Sequence, residues 1–69
     1  MAKEKIFKVN EGSNIFYFVD LERICALEIE KDDNGSYDYV VGFMENGRTI
    51  EVGKDQADDF VKAWLEIKR

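Results

Sequence analysis

The sequence predicts an α+β fold: a small antiparallel β-sheet of about five short strands, in a hairpin meander, packed against one C-terminal α-helix. Three observations predict it. Apolar residues alternate with polar ones at a period of two before Lys54, the period changes to three-and-four after it, and the turn dipeptide Asn-Gly occurs at Asn34-Gly35 and at Asn46-Gly47. A chain of 69 residues makes one domain, spanning 1–69.

The first two strands are expected at roughly 5–9 and 15–19, joined by Asn10-Glu11-Gly12-Ser13-Asn14, whose residues favour turns. A third, roughly 24–31, alternates Cys25, Leu27 and Ile29 with Ala26, Glu28 and Glu30, as a strand wet on one side does. Tyr37, Tyr39, Val41 and Phe43 form an alternating row in a fourth strand, 37–44, and Ile50 with Val52 one in a fifth, 48–52.

The two Asn-Gly sites are expected to make different turns. A two-residue type I′ turn at Asn46-Gly47 sets Phe43 opposite Ile50 and Val41 opposite Val52, aligning apolar rows, whereas a three-residue loop sets Phe43 against Thr49 and Val41 against Glu51. At Asn34-Gly35 the same test favours a three-residue loop, Asp33-Asn34-Gly35, which pairs Ile29 with Tyr39, Leu27 with Val41 and Cys25 with Phe43. The expected inner row is then Leu27, Ile29, Val41, Phe43, Ile50 and Val52. The other face would carry Glu28, Glu30, Asp38, Thr49 and Glu51, with Ala26, Val40, Gly42 and Met44.

The helix is expected at roughly 55–68. Ala57, Phe60, Val61, Trp64 and Ile67 line one face, and Leu65 widens it. Asp55 is the expected N-cap, with Asp58 three residues on. Asp55, Asp58 and Asp59 complement the positive end of the helix dipole, and Lys68 and Arg69 the negative end.

Composition narrows the function classes. The net charge is −5 and there is no histidine, so no imidazole is available as a general base. Cys25 is the single cysteine, which excludes an intrachain disulfide, and it is expected in the buried row. Ser13 and Ser36 fall in turns. No catalytic residue, cofactor or metal is expected, and the protein is read as no enzyme. Glu30, Asp32, Asn34, Gly35 and Asp38 half-match a calcium loop, but Val41 stands where the bidentate glutamate should be. The unpaired thiol and the lack of a signal-type hydrophobic segment or a membrane-length apolar run predict a cytoplasmic protein.

Function is therefore expected from a surface. Ile15-Phe16-Tyr17-Phe18-Val19 is apolar on both faces of its strand, so one row must find cover outside a single core. Phe16, Tyr17 and Phe18 are the candidate interaction residues, and the expected function is a non-enzymatic protein–protein interaction module that pairs with itself. The alternative rests on acid clustering. Asp32, Asp33 and Asp38 surround one hairpin, and Asp55, Asp58 and Asp59 open the helix. Together they could imitate phosphates to a basic partner, as an inhibitor of the immunity or phage anti-defence type would. Single-stranded nucleic acid is a third reading, supported by Phe16, Tyr17, Tyr37 and Tyr39 as stacking residues. Charge opposes it: Lys3, Lys5 and Lys8 against Glu4 leave +2 in the first eight residues, and −7 of the net −5 falls on the rest.

Overall fold

A computed structural model of the chain describes residues 5–69; residues 1–4, including Lys3 of the basic N-terminal segment, lie outside the described residues. The order is β1 (Ile6–Asn10), β2 (Phe16–Asp20), a 3₁₀ turn (Leu21–Arg23), β3 (Ile24–Lys31), β4 (Tyr37–Met44), β5 (Thr49–Gly53) and α1 (Lys54–Lys68). The fold is α+β, as expected, but the strands form two antiparallel sheets rather than one: β1–β2, and β3–β4–β5 with β4 in the centre.

The break between the sheets follows from Asp20. Its carboxylate accepts the Glu22 N–H at 3.0 Å, capping the 3₁₀ turn that redirects the chain from β2 into β3. Leu21 within that turn is fully buried. Both sheets then face one core, made of Val9, Val19, Leu21, Ile24, Val40, Ile50 and Val52 against Ala57, Phe60 and Val61 of α1. Phe7 meets Phe60 edge-on, ring centres 5.2 Å apart, so the hairpin and the helix are joined by an aromatic contact.

The inner row differs from expectation on β4. Val40 and Gly42 face the helix, while Tyr39, Val41 and Phe43 face away. Both Asn-Gly sites make the same three-residue loop. Gly35 N–H donates to the Asp32 carbonyl at 3.1 Å and Gly47 N–H to the Met44 carbonyl at 3.0 Å, and the glycines have φ of +85° and +88°. A type I′ turn would need positive φ at Asn46 as well, and no residue other than glycine has it among the described residues. Asn46 instead accepts the Arg48 N–H at 3.0 Å through its side chain. That loop pairs Phe43 with Thr49 and Val41 with Glu51.

The Asp33-Asn34-Gly35 loop is as expected, yet the register beyond it is not. Two bulges intervene: Asp38 has no partner on β3, and Cys25 has none on β4. Between them Leu27 pairs with Gly42 and Ile29 with Val40. Each bulge reverses the inward-facing parity, so Ile24 and Leu27, three apart, both point to the core, and Cys25 is exposed rather than buried. A Cβ on Gly42 would lie 3.5 Å from Ile24 and 3.6 Å from Leu27, ordinary van der Waals distances, so the strand passes directly over these two side chains.

The helix begins at Lys54, with Gly53 rather than Asp55 in the cap position and no side-chain cap bond. β5 runs straight into α1. The first turn is tied down by Gln56, whose amide oxygen accepts the Asn10 N–H at 2.8 Å and whose amide nitrogen donates to the Lys8 carbonyl at 2.8 Å. Trp64, half-buried, donates its indole N–H to the Ile24 carbonyl at 3.1 Å.

Candidate functional site

Alternation along β1 and β2 decides which apolar row is left uncovered. Phe7 pairs with Val19 and Val9 with Tyr17 on the inner side, so Lys8, paired with Phe18, and Asn10, paired with Phe16, face outward. Phe16 is 50% and Phe18 64% exposed. Their rings meet edge-on, centres 5.7 Å apart, and the Lys8 ammonium sits 4.2 Å from the centre of the Phe16 ring. Ile6, on the same face, and Ile15, just before β2, are exposed as well. Of the three sequence-predicted interaction residues, the structure brings Phe16 and Phe18 together and turns Tyr17 the other way. Tyr17 is half-buried against the core, and burial, followed by the Glu11 and Glu51 charges, pushes its hydroxyl pKa up.

The edges of this hairpin are unequal. In β1 the outward backbone groups of Lys8 and Asn10 are taken by Gln56, which stands in for a neighbouring strand. Among the described residues the far edge of β2 has no strand partner, nor does the far edge of β5. A groove of about 360 Å³ is lined by Tyr17, Phe18 and Val19 on one side and Arg48, Thr49 and Ile50 on the other.

The six acidic candidates divide. Asp32 is committed to its loop: one carboxylate oxygen accepts the N–H groups of Asn34 at 2.9 Å and Ser36 at 3.0 Å, and the other lies 3.6 Å from the Lys54 ammonium. The Ser36 N–H above all holds its pKa below the ordinary carboxylate value; desolvation, next in size, opposes it, and the Asn34 N–H and the Lys54 charge lower it further. The Lys54 contact also brings this loop to the start of α1. Asp33, Asp38, Asp55, Asp58 and Asp59 are all exposed, Asp38 at the β4 bulge. Among the described residues no group of three histidine, cysteine, aspartate or glutamate side chains could hold a metal ion. In the segment that half-matches a calcium loop, Asp32 builds the turn through its bonds from Asn34 and Ser36.

Sequence reasoning missed a second outward surface, formed by Tyr39, Val41 and Phe43 on β4. It was hidden by the two bulges, which leave no signature in composition or spacing. The neighbouring Glu51 side chain first, then desolvation and the charges of Glu51, Glu28 and Glu30, push the Tyr39 pKa up.

No family model matches the chain, and no curated protein and no solved structure matches it. The fold and its surfaces define an α+β domain of two antiparallel sheets and one helix. No helix among the described residues is long and apolar enough to cross a membrane.

Proposed function

We propose that the protein is a non-enzymatic protein–protein interaction module that pairs with a second copy of itself through the outer face of the β1–β2 hairpin. The observation that carries this reading is the exposure of Phe16 and Phe18, half and nearly two-thirds, on a strand whose inner row is already buried. Apolar surface left in water costs roughly 25 cal/mol per Å², and aromatic side chains are large, so covering two rings in each copy favours association by a few kcal/mol.

A second copy suits this face better than a charged partner. Lys8 is the one ionic side chain in the middle of it, and that charge rests on the Phe16 ring. A two-fold contact sets such a patch against itself, with Asp20, opposite Ile6 at the end of the hairpin, the one carboxylate among its paired outward positions. The hairpin is short, five residues a strand. Its outer face falls below the ~800 Å² per partner of a stable interface. The dimer is therefore weak and concentration-dependent.

Sedimentation equilibrium from micromolar to near-millimolar protein tests it. The average mass should climb toward twice that of the chain, and Phe16→Ser with Phe18→Ser should hold it at the monomer with an unchanged circular dichroism spectrum. A wild-type monomer throughout the range sinks the proposal.

The acidic-mimic reading is favoured by one observation, the 3.6 Å Asp32–Lys54 contact that places the hairpin loop beside the helix start. Asp33, Asp55, Asp58 and Asp59 would then offer their charge to a basic, nucleic-acid-binding protein, with an affinity that falls steeply with salt.

A further inference from the structure

The outer face of β3–β4–β5 has a chemistry of its own. Strand pairing sets three rungs across it: Glu30, Tyr39 and Gly53; Glu28, Val41 and Glu51; Ala26, Phe43 and Thr49. An apolar row thus runs down the central strand, with Tyr39 37% and Phe43 39% exposed, and glutamates border it on both sides. The described ion pairs are Lys5–Glu22, Arg23–Asp20 and Lys54–Asp32. None involves Glu28, Glu30 or Glu51. Among the described residues no ion pair engages these three negative charges, which border the exposed row; after the side-chain interaction with Glu51 and desolvation, they add to the upward pKa shift of Tyr39 at one end of it.

The dimensions select a shape. Neighbouring strands lie ~4.8 Å apart, so the acidic borders on β3 and β5 are separated by ~10 Å. That matches the ~10–12 Å width of an α-helix with its side chains. The row from Tyr39 to Phe43 runs ~14 Å along the strand, the length of between two and three helical turns.

We propose that this face docks a basic amphipathic α-helix of a partner protein: its apolar stripe lies along Tyr39, Val41 and Phe43, and lysines or arginines on its two flanks reach Glu28 and Glu30 on one side and Glu51 on the other. The docked helix covers the face that α1 leaves bare and completes a helix–sheet–helix sandwich. Tyr39 and Phe43 could stack nucleobases, but phosphates arriving with them would meet the three glutamates, so the charge favours a cationic protein segment over a nucleic acid. The site lies on a different sheet from the hairpin face and does not depend on self-association.

The test uses the full chain and a fluorescently labelled helical peptide of about three turns, leucines on one stripe and lysines on both flanks, followed by anisotropy. A peptide with glutamate for every lysine serves as control. The lysine peptide should bind and the glutamate peptide should not, and Glu28→Gln with Glu30→Gln and Glu51→Gln should weaken binding at least about tenfold. Asp55→Asn with Asp58→Asn and Asp59→Asn changes the net charge equally but elsewhere, and should leave affinity within about twofold. Phe43→Ser should also weaken binding, and should do so still at ~300 mM salt, where diffuse charge attraction is screened. Equal losses in the two charge-matched triple variants, equal binding of both peptides, no binding of either, or preference for a single-stranded oligonucleotide would each overturn the proposal. Repeating the titration on the Phe18→Ser variant separates it from the dimer, since its outcome should not change.

Discussion

β1–β2 holds strict alternation along its whole length, whereas β3–β4–β5 breaks it twice, and the two sheets present different chemistry to solvent as a result. In the hairpin the inner residues are Phe7, Val9, Tyr17 and Val19 without interruption, and Phe16 and Phe18 are left outward beside a lysine. In the larger sheet the unpaired Asp38 and Cys25 each reverse the parity, so an apolar row that simple alternation would bury emerges between glutamates. Bulges also increase local twist. The longer sheet in this way brings Ile24 and Leu27 of β3 and Val40 of β4 to the same core as the short one and Phe60. Which face of a strand is exposed is thus a property of its irregularities as much as of its side chains.

The most disruptive way to probe the comparison is Phe60→Ala. Phe60 is fully buried and its ring stands edge-on to Phe7, so it belongs to both sheets at once. Removing a buried phenylalanine costs ~3–5 kcal/mol. A domain of this size has only several kcal/mol in total. The variant should be largely unfolded at room temperature. A milder Phe60→Leu, followed in urea through Trp64 fluorescence and far-ultraviolet dichroism, should give one coincident transition. Separate transitions would mean that the hairpin and the three-stranded sheet do not share a core.

Next in size is a test of the parity itself. Gly42→Val forces two methyl groups against Ile24 and Leu27, where a Cβ alone already stands at 3.5 to 3.6 Å, and overpacking of this kind costs ~1–3 kcal/mol. Phe43→Thr, on the outer face, should cost under ~1 kcal/mol, within the range of surface changes in a strand. Urea midpoints of the two variants rank them directly. A larger loss from Phe43→Thr would return Phe43 to the interior.

The parts legible in the sequence are those where several local signals coincide. The helical face Ala57, Phe60 and Val61 was specified by period, and only the cap moved, because β5 continues into α1 without the loop that an Asp55 cap requires. The exposed strand was legible as a problem, though not its solution. Lys8 held the solution: the Asn10–Phe16 pairing that closes the Glu11–Ile15 loop sets Lys8 opposite Phe18, and a lysine in that row marks the solvent side. The β4 face was not legible. Apolar alignment argued for Val41 and Phe43 inside, and nothing in the residues around Asp38 or Cys25 announces a bulge. The register shows only in the strand pairing, where Leu27 meets Gly42 and Ile29 meets Val40 between the two bulges.

The smallest expected effect separates the two loops that share one geometry. Asp32 and Asn46 each accept backbone N–H groups with a side-chain oxygen, from Asn34 and Ser36 in the first loop and from Arg48 in the second, but only the carboxylate can be protonated. Because the folded protein holds the Asp32 pKa down, chiefly through the Ser36 N–H, the ionised form is the one the fold prefers. Its contribution is complete above the unfolded value of ~3.9 and is lost as pH falls through the lower folded value. Asp32 stays near water, so the change should be local: in an NMR titration from neutral pH to ~pH 2 the Ser36 and Asn34 amide resonances should move in the acid range while Arg48 holds still, and Asp32→Asn should abolish the movement. Arg48 shifting in step with Ser36 would mean that acid opens the whole sheet instead, and the two loops would then differ in nothing but their residues.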